Sequence, residues 1–344
     1  MKQRISLILG FLSSLFFLWL GFRGLAFDEI WDALTAINPI WVFLAFPVYF
    51  LAIYVLTWRW WYLFRPIKDV HPNRLFPIVL IGYMANNLLP FRLGEILRAY
   101  VLKKRENVNI APTLSTIFIE RVFDGLTMLA FIFTALFFID FEEPALQTVI
   151  YVTTPLFFGA LVIFFILAAN PETATSIYTW LIKKFSPVAL RPRLLDIVAE
   201  LMSGLSALRS GRALALTILT SFLSWTLESS TYYIVMQAFD FKVSFFVLLL
   251  VVGFGNLSTI LPSTAGYVGT FHAVAILTLT TFGVDRLQAG SYAIIMHATL
   301  WLPMTVAGFI SLVKFGFGWR DIQAAQDVAD EPLPEHLLES EAAV

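Results

Sequence analysis

Residues 86–105 of the chain read NNLLPFRLGEILRAYVLKKR, and this stretch decides how the rest of the sequence is interpreted. The apolar run 75–90 leads into it and is shorter than the roughly 20 residues that a helix needs to cross a bilayer. Pro90 and alternating charges then interrupt what would be the continuation of that helix. Backbone groups freed at such a break are tolerated at membrane depth only against protein or a water-filled cavity. The stretch therefore predicts a broken, re-entrant segment beside a cavity.

The composition places this segment in a membrane protein. The chain has 344 residues, is 59% hydrophobic and 14% charged, and has a mean hydropathy of +0.79. We predict an all-α polytopic membrane protein with a single transmembrane bundle over 1–318 and an acidic, disordered cytoplasmic tail over 319–344. Because the chain contains no cysteine, disulfides, thiolate nucleophiles and cysteine metal sites are excluded.

About six segments are long and apolar enough to be full transmembrane helices. They are 5–24, 39–61, 117–139, 145–168, 213–238 and 288–313. The first follows Lys2 and Arg4 and resembles a signal peptide, but its 18-residue core exceeds the usual signal length, so we expect it to be retained. Two further segments, 27–37 and 194–208, have one apolar helical face and lie either along the membrane surface or against the bundle.

Lysine and arginine positions test the topology. If 75–116 and 243–283 each enter the membrane and return, then 62–116, the interfacial segment 169–212 and the tail face the cytoplasm. Of the 23 lysines and arginines, three then lie outside, three lie near the first broken segment and 17 are assigned to the cytoplasmic side. This bias agrees with the positive-inside rule. It predicts two re-entrant hairpins, a cell (inner) membrane location and cytoplasmic N- and C-termini.

The two broken segments align with each other as LLPFRLG and ILPSTAG. With the predicted topology, the units at about 75–168 and 213–313 become inverted copies. Inverted repeats with interrupted helices in matching positions form the midplane site of many transporters. The alternative is that Gly and Pro are simply frequent in membrane helices. The matched positions are Pro90 and Pro262, and Gly94 and Gly266, whereas Asn86 and Asn256 precede the two prolines by four and six residues.

A charged cluster follows the first break and comprises Arg92, Glu95, Arg98, Glu120, Arg121 and Asp124. Glu95 is spaced to pair with either neighbouring arginine on a helix. Glu120 and Asp124 share a helix face and repel unless a cation lies between them, for which Arg98 or Arg92 is the predicted partner. Arg121 either closes this network or extends to the interface. Three cations and three anions make the set neutral. Its arginines either bind a lipid phosphate or form a permanent ion-pair network that braces the hairpin.

A lone carboxylate, Glu228, lies near the centre of 213–238, where a charge is expensive and normally faces a cavity or a cation. His272 is its candidate partner, and a satisfied buried histidine is the alternative. The predicted headgroup-binding cavity contains Asn86, Asn87, Pro90, Arg92, Gly94, Glu95, Arg98, Glu120, Arg121, Asp124, Glu228, Asn256, Pro262, Gly266, Gly269 and His272. We assign no catalytic residue, cofactor or metal, since the four histidines are scattered and nucleotide-binding and hydrolase motifs are lacking.

These motifs resemble the flippase-like membrane region of lysylphosphatidylglycerol synthases and its stand-alone relatives. The resemblance rests on Asn86 to Arg98, on Glu120 to Asp124 and on LPSTAGYVG at 261–269, and it covers about 5–315. It implies a membrane protein that moves a lipid between leaflets. Many relatives have proline where this chain has Ala265, and often glutamate near His272, so the second site is expected to differ in charge. No transferase domain accompanies the membrane part, so synthase activity is not expected.

Three functions are consistent with these features. The first is a transporter that moves an anionic-headgroup lipid, either a phospholipid or a polyprenyl-phosphate-linked sugar, between leaflets through a midplane cavity. The second is an intramembrane lipid-modifying enzyme with Glu95, Glu120 or Asp124 as base, and the third is a non-transporting scaffold. The expected partners are a membrane lipid and a separate lipid-modifying transferase, and not nucleic acid.

Overall fold

The computed structural model describes residues 2–89, 92–139, 144–187, 190–191, 194–195, 211–259 and 265–330. In this part the chain forms α-helices, short 3-10 segments and no strand, which confirms the prediction of an all-α polytopic membrane protein. The helices are α1 Lys2–Phe22, α2 Phe27–Ala36, α3 Pro39–Phe64, α4 Pro72–Leu88, α5 Leu93–Glu106, α6 Ile110–Phe138, α7 Pro144–Ala169, α8 Pro171–Phe185, α9 Gly211–Met236, α10 Phe245–Ser258, α11 Thr270–Thr281, α12 Arg286–Lys314 and α13 Trp319–Asp330. The 3-10 turn Ala265–Tyr267 lies between α10 and α11.

Four helices in the described part are long and apolar enough to cross a membrane, namely α3, α6, α12 and the Gln147–Ile166 portion of α7. They coincide with four of the six predicted spans. The other two predicted spans correspond to α1 and α9, which are 21 and 26 residues long. Within α1, the apolar stretch is Phe11–Phe22, which is shorter than a membrane-spanning helix. Helix α9 is more polar because it contains Glu228 and eight serines and threonines.

The polar side chains of α9 are largely satisfied by their own helix. Six of its hydroxyls donate to the carbonyl oxygen four residues earlier, and these belong to Thr217, Thr220, Ser221, Ser229, Ser230 and Thr231. Ser224 instead donates across to the carbonyl oxygen of Ala52 in α3, at 2.9 Å. Helices α3 and α9 make the most extensive helix–helix contact of the described chain. A helix rich in hydroxyls therefore packs at the centre of the bundle.

Both predicted broken segments are helical hairpins. Helices α4 and α5 pack against each other, and their backbones touch where Gly82 faces Gly94. Helices α10 and α11 form the second pair, in which Gly255 faces the ring of Phe271. The breaks lie between Leu88 and Leu93 and between Ser258 and Thr270, and of these residues 90–91, with Pro90, and 260–264, with Pro262, lie outside the described residues. Glycines at the crossing points let each pair of helices approach closely.

The two hairpins make matching contacts with the rest of the bundle. Helix α4 packs on α12, which follows the second hairpin, and α10 packs on α6, which follows the first. Helices α3 and α9, which precede the two hairpins, pack on each other. If α3–α6 are paired in chain order with α9–α12, each helix–helix contact of one unit has a counterpart in the other. A two-fold relation between two similar units would produce this pattern.

The ends of the chain differ in part from the predictions. Residues 319–330 were predicted to belong to a disordered tail, but they form α13. This helix packs on α5 and buries Ile322 and Ala325. The three-residue spacing puts both side chains on one helix face. In α2, Ile30 is buried and the helix contacts α12, whereas Trp31 is exposed. The predicted interfacial segment 194–208 and the tail beyond residue 330 fall largely outside the described residues.

Replacing Gly94 by alanine should destabilise the first hairpin. A Cβ atom at this position would overlap the carbonyl oxygen of Gly82 and lie 2.6 Å from Oδ1 of Asn86. Because such overlap forces helices apart, we expect a loss of about 1–3 kcal/mol in unfolding free energy, measured on the detergent-solubilised protein. The matched control is Gly125→Ala in α6, where nothing lies within 4 Å of the added atom. Equal stability of the two variants would contradict this packing.

Candidate functional site

A cavity of about 150 Å³ lies where the two hairpins meet. Its lining comes from both hairpins and from α3, α6, α9 and α12, so both units, α3–α6 and α9–α12, contribute to it. Ten of the predicted site residues line it, namely Asn86, Asn87, Arg92, Gly94, Glu95, Arg98, Arg121, Glu228, Asn256 and Gly266. Glu120, Asp124, Gly269 and His272 are not part of the lining, and Pro90 and Pro262 lie outside the described residues. The cavity is thus mainly polar on the side of the first hairpin.

Arg59 of α3 is the most important residue that sequence reasoning missed. Its side chain is completely buried, although the charge count assigns it to the cytoplasmic side. Its Nη1 donates to Asp124 Oδ1 at 2.6 Å, and its Nη2 lies 3.6 Å from Glu120 Oε1. Arg59 is therefore the cation that contacts both carboxylates, whereas the predicted partner Arg98 pairs with Glu120 alone and Arg92 pairs with neither. An arginine inside a long apolar run was the signal available in the sequence, since charges within transmembrane segments are rare and functional.

The other arginines extend this network towards the cavity. Arg98 Nη2 lies 2.8 Å from Glu120 Oε2, and its guanidinium carbon lies 3.5 Å from the centre of the Trp60 ring. Arg121 closes the network, which is one of its two predicted alternatives, through Asp124 Oδ2 at 3.0 Å and Glu95 Oε1 at 3.8 Å. A planar guanidinium suits both of these contacts, because it forms forked ion pairs and stacks on aromatic faces.

Glu95 makes only long contacts at the edge of this cluster. Its Oε1 lies 4.0 Å from Arg92 Nη1 and 3.8 Å from Arg121 Nε, so of its two predicted partners it reaches Arg92 and not Arg98. With Arg59 included, four guanidinium groups meet three carboxylates, and the cluster carries one net positive charge. The predicted neutral set is therefore wrong by one charge. In the described part, Nε of Arg98 and Nε of Arg121 are buried without a hydrogen-bond partner.

Arg92 links the two hairpins directly. Its Nε donates to the Tyr267 hydroxyl at 3.2 Å, and its Nη2 donates to the Thr259 hydroxyl at 3.1 Å. Its backbone has φ 54° and ψ 33°, a left-handed conformation immediately before α5. For a residue with a side chain this conformation costs on the order of 1–3 kcal/mol and is concentrated at functional sites. The strained turn points the guanidinium of the first hairpin at the second.

Two asparagines and a glycine hold the breaks in place. Asn86 Oδ1 accepts from the Gly94 backbone N–H at 2.9 Å, which closes the first hairpin. Asn87 Nδ2 donates to the Trp301 carbonyl oxygen at 3.1 Å, and the Trp301 indole N–H donates back to the Asn87 carbonyl oxygen at 3.3 Å. Gly266 has φ +71°, and a Cβ on it would lie 2.9 Å from Trp301 Nε1. Backbone groups freed by the interrupted helices are thus partly satisfied by side chains.

The predicted pairing of Glu228 with His272 is not observed. Glu228 is 8% exposed in the cavity lining, and none of the ion pairs among the described residues includes it. The His272 ring stacks on His297, with ring centroids 4.7 Å apart, and its Nδ1 accepts from the Gly269 N–H at 3.4 Å. His272 is thus a satisfied buried histidine, which was the alternative interpretation. No group of three or more potential metal ligands occurs in the described part of the chain.

The remaining wall of the cavity is aromatic, which the sequence did not predict. Rings line it from α3, α4, α9, α11, α12 and the 3-10 turn, and these are Tyr49, Tyr83, Trp225, Tyr232, Tyr267, Phe271, His297 and Trp301. Trp225 also donates its indole N–H to Asp124 Oδ1 at 2.9 Å, which connects the aromatic wall to the ion pairs. The cavity therefore offers cationic, amide and aromatic surfaces to one ligand.

Comparison with known proteins identifies the family. The family described as the lysylphosphatidylglycerol synthase TM region matches residues 7–308. The chain belongs to this family. It is 26% identical over 308 residues to a UPF0104 membrane protein of Methanothermobacter thermautotrophicus, covering 84% of this chain and 89% of that protein. It is 25% identical over 321 residues to the UPF0104 membrane protein MJ1595 of Methanocaldococcus jannaschii, covering 91% and 94% of the two chains.

A more distant relative is named glycosyltransferase AglD, from Haloferax volcanii. The identity is 24% over 289 residues, which is 76% of this chain and 46% of that protein. Within the lysylphosphatidylglycerol synthase TM region family, this chain has His272 near a position where the resemblance predicts glutamate. The structure places that histidine on His297, outside the cavity lining. The cavity carboxylate on the second half is instead Glu228 of α9.

Proposed function

We propose that this membrane protein moves an anionic-headgroup lipid between leaflets by binding the headgroup in the cavity between the two hairpins. The observation that carries the proposal is the cavity itself, because three arginines from the first hairpin and α6 line it and belong to a cluster with one net positive charge. A phosphate oxygen is the natural partner of forked guanidinium donors. The cluster also buries arginine donors and carboxylate oxygens that lack a hydrogen-bond partner among the described residues, so its polar groups do not fully satisfy one another.

The exchanged helix contacts support the mode of action. Interrupted helices in matching positions of two inverted units enclose the substrate site of many secondary transporters. Here α4 and α10, the first helices of the hairpins, each pack on the long helix that follows the other hairpin. We infer that the two hairpins are re-entrant and enter from opposite faces. Motion of one unit against the other would then expose the cavity to each leaflet in turn.

The family supports a lipid ligand and argues less for chemistry in this chain. Relatives of similar length are named only as membrane proteins, and the one named a glycosyltransferase aligns over less than half of its length. Two of the three predicted bases, Glu120 and Asp124, lie behind the cavity lining in ion pairs with arginines. We therefore propose transport, with a separate transferase as a partner that modifies the lipid.

Lipid transfer in liposomes tests the proposed function. The purified chain would be reconstituted with a headgroup-labelled phosphatidylglycerol or polyprenyl-phosphate sugar, and appearance of the label in the opposite leaflet would be followed by quenching. We expect transfer faster than in protein-free liposomes, with chemically unchanged lipid recovered afterwards. Altered lipid would indicate an enzyme. Transfer equal to protein-free liposomes for every anionic lipid would contradict the proposal.

Cysteine labelling tests the predicted re-entry, because the native chain has no cysteine. Lys104→Cys lies on an exposed residue near the end of α5, and Lys242→Cys lies on an exposed residue just before α10. If the first hairpin returns to the side from which it enters, an impermeant thiol reagent should label only Lys242→Cys in intact cells. Both should react after permeabilisation. Labelling of Lys104→Cys in intact cells would show that the first hairpin crosses the membrane.

A further inference from the structure

We propose that the cavity selects headgroups that carry one negative charge, and that it discriminates against those that carry two. The ligand class is a lipid whose headgroup is joined through a single phosphodiester, as opposed to a diphosphate. This inference rests on the proposed function for its setting, but it concerns binding alone. It follows from the charge of the ion-pair cluster beside the cavity, counted with the cavity carboxylate Glu228 as the neutral acid.

The cluster has a defined charge because its members are held in ion pairs around a buried core, while Arg92, Glu95 and Arg121 on the cavity side are 36%, 25% and 28% exposed. Arg59 and Glu120 have completely buried side chains, and Arg98 is 4% exposed. Four guanidinium groups and three carboxylates make up the set. In such a low-dielectric place, charges interact strongly and an unbalanced one is costly. One phosphodiester would neutralise the excess, whereas a diphosphate would reverse it to an equal negative excess.

The cavity wall opposite the first hairpin contributes no further arginine or lysine among the described residues. In the described part of the chain, the arginines that line the cavity are Arg92, Arg98 and Arg121, and no lysine lines it. The titratable groups facing them from α9 and α12 are Glu228 and His297, with tyrosines around them. Glu228 is counted as neutral because it has no cation partner among the ion pairs of the described residues and ionising a buried, unpaired carboxylate is costly. The site is thus built to accept one negative charge.

Binding of a matched lipid pair tests this charge selection. The probes are one polyprenol joined to the same hexose through one phosphate or through two, with binding to the full-length protein measured by native mass spectrometry. We expect the single-phosphate lipid to bind at least about tenfold more tightly, where tenfold corresponds to 1.4 kcal/mol. Equal or tighter binding of the two-phosphate lipid would overturn the inference.

A charge variant makes the test independent of lipid shape. Glu95→Gln removes one negative charge at a residue whose contacts are long, so the cluster then carries two net positive charges. We expect the preference to fall at least about tenfold, through tighter binding of the two-phosphate lipid. Glu29→Gln makes the same chemical change at an exposed residue of α2 and should leave the preference unchanged. Identical preferences in these two variants would overturn the inference.

A double variant separates charge from the identity of Arg59. Arg59→Gln combined with Glu120→Gln removes one charge of each sign, so the net charge and therefore the preference should persist.

The charge selection and the proposed transport function can be contradicted independently of each other. A protein that prefers the single-phosphate lipid but transfers no lipid would contradict the proposed function and support the charge selection. A protein that transfers lipid and binds both probes equally would do the reverse.

Discussion

Replacing Arg59 by alanine should lower the free energy of unfolding by about 3–5 kcal/mol, because it leaves buried carboxylates without their shared cation. Arg59 donates to Asp124 at 2.6 Å and lies 3.6 Å from Glu120, and all three side chains are buried or nearly so. Glu120 and Asp124 keep Arg98 and Arg121 at 2.8 and 3.0 Å, but they lose the central cation and the packing of a fully buried side chain, and removing one member of a buried ion-pair network is costly. Thermal or denaturant unfolding of the detergent-solubilised protein would measure the loss.

Arg65→Ala is the matched control for this prediction. Arg65 lies at the end of the same helix and pairs with Asp69 at 3.4 Å, but both side chains are more than half exposed. Exposed pairs contribute about 0–1 kcal/mol, so this variant should unfold nearly as the wild type does. If Arg59→Ala were no less stable than Arg65→Ala, the buried network would not contribute to the fold in the way described.

Replacing Arg98 by glutamine should slow lipid transfer by about ten- to a hundredfold, since a hydrogen bond to a charged group contributes about 1.5–3 kcal/mol. Arg98 lines the cavity, stacks on Trp60 and has a buried Nε without a hydrogen-bond partner in the described part. Glutamine removes both the charge and the forked donors that a phosphate would contact. The rate of labelled lipid transfer in liposomes is the measurement.

Arg105→Gln is the control for the loss of activity. Arg105 lies on α5 two turns after Arg98, is exposed and stacks on Phe315 outside the cavity. Its substitution removes one arginine from the same helix and should leave transfer within about twofold of wild type, since surface substitutions usually have small effects. Gel filtration would establish that both variants are folded. Wild-type transfer by a folded Arg98→Gln protein would place the headgroup elsewhere.

Local sequence signals predicted the helices and the two breaks. Interrupted apolar runs, each ending near Gly94 or Gly266, were sufficient to expect two hairpins, and the structure has helix pairs at both places. The ten predicted residues that line the cavity lie close to these breaks or, as Arg121 and Glu228 do, interrupt an apolar run. Such signals are readable because glycine, proline and charge are unusual in a membrane helix.

Long-range pairing was not predictable from the same signals. Arg59 finds its partner Asp124 65 positions later in the chain, and Asn87 bonds to Trp301 after 214 positions. The position of Arg59 within an apolar run marks it as unusual, but nothing local in the sequence says which carboxylates it contacts. The neutral charge count therefore left out one cation of the cluster. Likewise, α13 was overlooked because Ile322 and Ala325 are too few apolar residues to mark a helix before α5 is seen beneath them.

The hydroxyl groups of α9 bear on how such a chain enters the bilayer during synthesis. Hydropathy scales treat each serine or threonine as a polar group that must lose water without replacement. In α9 six of the eight serine and threonine hydroxyls donate to carbonyl oxygens of their own helix, so the water that these six lose is replaced before any neighbouring helix packs against α9. The insertion of α9 is therefore easier than its composition implies. For chains with hydroxyl-rich central helices, a count of spans from hydropathy is a lower limit.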